Sequence, residues 1–496
     1  MREVSRCLFV CLLFFCENCI FAAGLSPITF GLLSAQNGIE RFDILYRTHQ
    51  EAISQGTTVD YSGLTRIDLE IPQNAKSIPL TDKTEFCGVE FHVLNSEKDI
   101  VLFSLMATGE DYSIDKESIS KDKYLSDLTN SNVLLSIIDD SLWVKNRTGY
   151  SYGATRKDLI VVMNGKLQND PIMPYNNEYS APKCQIYRYS KNQKKIGGIT
   201  LVREKESTYK TFLLKVEGQY NVSISNVSII TPETSLYGDE AIQIFNSSKI
   251  HFKNVIIEGT YSQSNKYGYG LSMNNVYDVS FDNLRADGAW GIFGTNNMQK
   301  VTLTNCDINR FDVHCYGKDI TCKNCTFRNL YNQFSSVYGT IRFSKCLFDR
   351  AIPVLFEYSY NAYTGFDLIF EKCKYILPEK PGYNYIINAG YLDNIENPRS
   401  ELREKCWPNV YINGMVIEAP VGVKDVYLIK LREQVSYTGP LGYASTFNIQ
   451  KITFARREQL QLVLSNCSIP TPHSIRVAQR NAYRSPMKII DNISSH

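Results

Sequence analysis

One eight-residue pattern recurs nine times between residues 222 and 469, and it constrains this chain more than any other feature. Residues 222–229 (Val-Ser-Ile-Ser-Asn-Val-Ser-Ile), 250–257 (Ile-His-Phe-Lys-Asn-Val-Ile-Ile) and 279–286 (Val-Ser-Phe-Asp-Asn-Leu-Arg-Ala) align position for position. The series continues at 301–308, 320–327, 341–348 and 368–375 and, after longer insertions, at 410–417 and 462–469. The first, third, sixth and eighth positions are apolar, which describes a period-two strand, a one-residue bend and a second short strand. The first seven copies start 19 to 29 residues apart. A unit this short cannot bury its apolar face alone, so neighbours must stack. The expected fold is all-β, a single-stranded right-handed parallel β-helix.

The bend carries Asn226, Asn254, Asn283, Asn305, Asn324 and Asn466, with Lys345, Lys372 and Gly414 as exceptions. Asparagine tolerates a left-handed backbone and can bond its amide to the same residue one coil away, which suits a stacked turn. The sixth column reads Val227, Val255, Leu284, Cys306, Cys325, Cys346, Cys373, Met415 and Cys467. Cys322-Lys323-Asn324-Cys325 has the spacing of a zinc or redox pair. Cys322, however, falls in the column of Phe252, Phe281, Leu303 and Phe343, so both sulfurs are expected in the core.

The chain is 496 residues long, too long for one ordinary core and suited to a repeat that adds core by stacking. Residues 1–23 read as a signal peptide: Arg2 and Arg6, an apolar run from Cys7 to Cys16, then small residues at Ala22 and Ala23. The run is too short to span a bilayer, and no later stretch is long enough, so membrane insertion is not expected. Export to the periplasm, the cell surface or the extracellular space follows. Residues 24–57 read as an N-terminal cap whose amphipathic helix, ending at Gly56, covers the open edge of the solenoid. The β-helix is expected over 58–470, with 93–215 irregular or excursive, 159–163 resuming a strand, and 471–496 a tail. A net charge of +2 gives no general attraction to nucleic acid.

A signal peptide, a capping helix and asparagine-laddered coils together resemble the pectate-lyase-like superfamily of right-handed β-helices over about residues 40–470. The resemblance implies a secreted, monomeric protein acting on a glycan laid along an outward groove. The aspartate cluster that holds calcium in pectate lyases is absent here, so no cofactor is implied with certainty. The superfamily includes lyases, hydrolases, epimerases and tailspikes, and reaction type has to come from the site.

The densest group of chemically able residues is Arg310, Asp312, His314, Tyr316 and Lys318, just before the fifth copy. If Val313 and Cys315 point inward, alternation places Asp312, His314 and Tyr316 on one outer face. Adjoining coils offer Asn332, Gln333, Arg342, Glu357, Tyr358, Tyr360, Asn361 and Tyr363 on one side and Tyr269, Asp287 and Trp290 on the other. Residues 300–350 hold eight Lys or Arg against four Asp or Glu, which suits an anionic substrate. β-Elimination on a uronate needs a cation for the carboxylate, a base and an acid. Arg310 or Arg342 could be the cation, His314 or Lys318 the base, and Tyr316 the acid. Calcium held by Asp312 or Asp287 could replace the arginine. A glycoside hydrolase would instead need two carboxylates, for which Asp312 with Asp287 or Glu357 are candidates. Asp239-Glu240 and Asp139-Asp140 read as turns. Two blander readings stand beside these: a solvated Arg310–Asp312 pair with an ordinary surface His314, or a non-catalytic glycan-binding β-helix.

Overall fold

The computed structural model describes residues 24–144, 154–172, 175, 182–203, 209–231, 241–258, 269–286, 291–328, 331–334, 337–356, 365–379, 385–389, 409–418, 425–431, 434–438, 444–448, 461–465, 474–478 and 488–492. Residues 1–23, expected as a signal peptide, and Asn466 and Cys467 lie outside them. The chain is a right-handed parallel β-helix with an N-terminal helix. The sequence alignment is also its hydrogen-bonded register: Val222 lies beside Ile250, then Val279, Val301, Ile320, Ile341, Leu368, Val410 and Leu462.

Each bend works as the asparagines require. Asn226, Asn254, Asn283, Asn305 and Asn324, with Lys345, Lys372 and Gly414, all have positive φ. The amide of Asn254 donates to Asn226 at 3.0 Å, that of Asn283 to Asn254 at 3.0 Å, and that of Asn324 to Asn305 at 3.3 Å. Two more left-handed columns accompany this one. Gly218, Asn246, Asn275, Asn297 and Tyr316 form one, and Asn221, Lys249, Asp278, Lys300, Asp319 and Gly339 the other. The regular coils therefore carry three faces. The first precedes the Asn246 column, the second lies between the Lys249 and Asn254 columns, and the third follows Asn254.

Inside, like residues stack. The rings of Phe252 and Phe281 are 4.5 Å apart and nearly parallel, as are Phe343 and Phe370 at 5.3 Å. Such pairs add about 0.5–1.5 kcal/mol beyond the area they bury. Cys306, Cys322, Cys325, Cys346 and Cys373 belong to this core.

The cap is the helix α1 (Gly38–Gln55). Asn37 accepts from the Glu40 amide at its start and left-handed Gly56 ends it. Phe42, Leu45 and Ala52 close the core. Gly38 lies so near the backbone of Leu69 and Glu70 that a Cβ would collide with it, which lets the helix seat directly on the first coil. His49 is buried with Nε2 2.7 Å from the Tyr61 hydroxyl, and burial lowers its pKa to about 3 despite a backbone bond to Pro79.

The span 93–215, expected as irregular or an excursion, holds both solenoid coils and an inserted sheet. Lys83–Ser96, Ile100–Met106, Lys194–Arg203 and Thr211–Glu217 are coils of the solenoid, with Lys194–Arg203 lying between Lys83–Ser96 and Tyr220–Ile230. Between them, Glu110–Tyr112, Asn132–Val144, Ala154–Met163, Lys166–Leu167 and Pro182–Arg188 form a five-stranded antiparallel sheet. Residues 159–163, expected as a strand, are one, and it belongs to this insert. Alternation alone cannot separate the two cases, because both kinds of strand have period two. One face of the insert packs its own core around Val133, Leu135, Ile137 and Ile160, and the other, with Leu134, Leu159 and Val161, meets Tyr220 of the solenoid. Coils also continue beyond residue 470, through Ser474–Ala478 and Lys488–Asn492.

Candidate functional site

The strand Asp312–Lys323 does not alternate as its sequence suggests. Thr295 pairs with Val313 and Asn296 with Cys315, so His314 is an extra residue, a β-bulge on the first face. Parity reverses after it. Cys315 takes the outward column of Phe245, Asn274 and Asn296 and does not face the core. Tyr316 falls in the left-handed corner column with φ 59° and is only 1% exposed. The expected outer trio of Asp312, His314 and Tyr316 is therefore not formed: Tyr316 is a corner, and Asp312 is covered.

Phe311 and Val313 are core residues, so Arg310 and Asp312 point outward from the coil, yet both side chains are fully buried. Arg310 Nε donates to Asp312 Oδ1 at 2.7 Å, and its Nη2 lies 2.6 Å from Oδ2 and donates to Gln333 at 3.0 Å. The Tyr331 ring covers the guanidinium at 4.5 Å. Burial works against the charge of Arg310, but Asp312, Tyr331 and Tyr269 outweigh it and raise its pKa. The pair is thus a buried one and not the solvated pair of the bland reading. Asn332 and Gln333, expected to meet substrate, are buried too. Asn332 accepts from the Phe311 amide at 2.9 Å and donates to the Pro353 carbonyl at 3.1 Å.

The other cations are elsewhere. Arg342 lies on the second face, beside Thr321 and Ile369, and is ion-paired with Glu371. Lys318, past the corner, donates to the Pro171 carbonyl at 3.1 Å. Asp287, Trp290, Glu357, Tyr358, Tyr360, Asn361 and Tyr363 lie outside the described residues, as do Asp239 and Glu240. Asp139 is buried in the insert. Calcium at Asp312 does not fit, because a guanidinium already occupies the carboxylate edge a cation would need.

The structure brings together His314 and Tyr269. Both are half-buried, with His314 Nε2 2.9 Å from the Tyr269 hydroxyl and the rings edge-on at 5.3 Å. Tyr269 reaches His314 across the intervening coil because Gly294 is there. The tyrosine ring lies on Gly294, where a Cβ would come within 2.6 Å of it. The column reads Gln243, Ser272, Gly294, and that loss of a side chain is the signal that could have joined Tyr269 to His314 in advance. The result is a histidine–tyrosine pair able to hold and pass one proton, with the charge of the buried Arg310 acting on the tyrosine.

No family model and no curated protein matches the chain. Among solved structures it is similar to the tailspike gp49 of Pseudomonas phage LKA1, with 13% identity and a TM-score of 0.53 over 92% of this chain and 82% of that one. The tailspike gp61 of Pseudomonas phage phi297 gives 12% and 0.53 over 94% and 83%. The Gp54 tailspike of Acinetobacter baumannii bacteriophage AP22, solved in complex with A. baumannii capsular saccharide, gives 12% and 0.51 over 94% and 75%. At such identity the likeness establishes the parallel β-helix and nothing finer.

Proposed function

We propose that this chain is an exported polysaccharide lyase that cleaves a uronate-containing acidic glycan, of glycosaminoglycan or pectin type, by β-elimination. The observation that carries this reading is the hydrogen-bonded pair of His314 and Tyr269 on an outward face at a bulge, where backbone irregularity re-aims side chains. His314 takes the proton next to the uronate carboxylate. The electron pair forms the new C=C bond as the glycosidic C–O bond breaks, and Tyr269 protonates the departing oxygen. The bond between the two side chains returns the proton for the next turnover. That a tailspike of the same fold holds a capsular saccharide supports a glycan as ligand. The hydrolase reading is weakened because Asp312, its first carboxylate, is locked to Arg310.

Purified protein incubated with polygalacturonate, alginate, hyaluronan and chondroitin sulfate is expected to generate the absorbance of an unsaturated uronate on at least one of them. New reducing ends without that absorbance would indicate hydrolysis, and binding without either would indicate a lectin-like protein. His314→Ala and Tyr269→Phe should each lower turnover by roughly 10²–10⁴-fold at unchanged thermal unfolding. Full activity in either variant would refute the pair.

A further inference from the structure

A uronate brings a carboxylate in need of a cation, and the two expected ones are engaged, Arg310 by Asp312 and Arg342 by Glu371 on another face, while Lys318, expected as a base, donates to a backbone carbonyl. The inserted sheet brings another cation to the first face. It lies along the left-handed corner column that ends that face. Ser136 Oγ donates to Asn246 at 3.1 Å and accepts from Asn275 at 2.8 Å, and the backbone amide of Lys157 donates to Asn297 at 2.7 Å. Asn297 stands beside Tyr316, two residues after His314, so Lys157 is anchored one coil from the His314 strand, about 5 Å along the axis. By alternation its side chain leaves the strand on the side of Leu159 and Val161, which face the solenoid, and opposite to Asp158 and Ile160.

Lys157 is half-buried, and among the described residues no carboxylate forms an ion pair with it. Burial lowers the pKa of its ammonium, opposed by the charge of Glu217, which is itself held by Lys215 at 2.7 Å. A desolvated ammonium on the seam between insert and solenoid, with no fixed carboxylate of its own, is ready for a carboxylate that arrives with a ligand.

We propose that Lys157 binds the acidic group of the glycan, so that the insert is the specificity element and the polymer runs along the seam parallel to the solenoid axis. This rests on the lyase reading of the His314 face. The test compares binding of polygalacturonate, hyaluronan and chondroitin sulfate with that of their carboxyl-reduced counterparts, which lack the carboxylate and so cannot undergo β-elimination. Wild type should bind its acidic polymer at least about tenfold more tightly than the reduced form, and Lys157→Gln should erase that preference, weakening binding of the acidic polymer about tenfold. Lys157→Arg should restore most of it. Both variants keep the backbone amide that Asn297 accepts, and unchanged thermal unfolding verifies that the insert remains docked. If Lys157→Gln discriminates in binding as wild type does, or wild type binds acidic and reduced polymers alike while still cleaving the acidic one, this inference is overturned and the histidine–tyrosine pair stands. If wild type neither binds nor cleaves any of the polymers, both fall.

Discussion

Among the described residues the same three-residue device occurs twice, an arginine and an aspartate two apart with both side chains fully buried, and the two copies serve different ends. In the insert, Arg156 Nε donates to Asp158 at 2.8 Å and the Tyr175 ring covers the guanidinium at 3.9 Å. On the first face, Arg310 and Asp312 do the same beneath Tyr331. Each also involves a glutamine of a solenoid coil, Gln299 and Gln333. The difference lies in what else the aspartate holds. Asp158 accepts from Tyr175 at 2.5 Å, from the Ile172 amide at 2.6 Å and from Gln299 at 3.1 Å, tying a loop and a solenoid coil to the insert strand. Asp312 holds Arg310, whose charge acts on Tyr269 of the candidate site. The intervening residue differs accordingly: Lys157 looks out to the seam, and Phe311 into the core. A buried pair is weak evidence for stability by itself, and its neighbours decide whether it fastens or seats something.

Breaking the fastening pair should have the largest effect. Asp158→Ala leaves Arg156 without its carboxylate and strips three donors of their acceptor, a loss of about 3–5 kcal/mol. Limited proteolysis should then cut within 107–190 while the β circular dichroism of the solenoid persists. A variant as resistant as wild type would show that Asp158 fastens nothing.

Replacing both members sharpens the contrast. Arg310→Met with Asp312→Leu removes charge and counter-charge together, and denaturation should move by about 1 kcal/mol or less, whereas turnover should fall at least about tenfold because the guanidinium whose charge acts on Tyr269 is gone. The matching change in the insert, Arg156→Met with Asp158→Leu, should remain destabilised by roughly 2–4 kcal/mol, since Tyr175, Gln299 and the Ile172 amide are left as buried donors at about 1–3 kcal/mol each, partly relieved by relaxation. Equal responses of the two double variants would dissolve the distinction.

The fold was legible where composition and position coincide. The column of apolar residues and asparagines named the register, the corner and the cysteine core, because stacking makes every coil repeat the same demands. The site was legible only in part. Nothing marks the bulge at His314 locally, since the run Asp312 to Tyr316 reads as ordinary alternation. A second signal was present: Asn246, Asn275 and Asn297 stand eight residues before Asn254, Asn283 and Asn305, and Tyr316 stands eight before Asn324. That offset identifies Tyr316 as a corner and exposes the extra residue before it. The insert was hidden because Asn132–Val144 and Ala154–Met163 are joined through residues 145–153 with no tight-turn motif between them. Burial of Arg310 and Asp312 came from tertiary cover that charge patterning does not report.

The mildest perturbation tests whether the site depends on how Tyr269 crosses its neighbouring coil. Gly294 has an ordinary backbone and is needed for space, because a Cβ there would stand 2.6 Å from the Tyr269 ring, closer than real contacts allow. Gly294→Ala should leave the coil intact and could even favour its extended backbone slightly, since alanine has less freedom to lose on folding. The ring, however, must lift by several tenths of an ångström, which stretches its 2.9 Å bond to His314 while leaving Arg310 and Asp312 in place. A loss of about tenfold in turnover, near 1.4 kcal/mol, is expected with no loss of thermal stability. Wild-type turnover in this variant would mean that Tyr269 merely packs against His314, and the chemistry of the face would then have to rest on His314 without it.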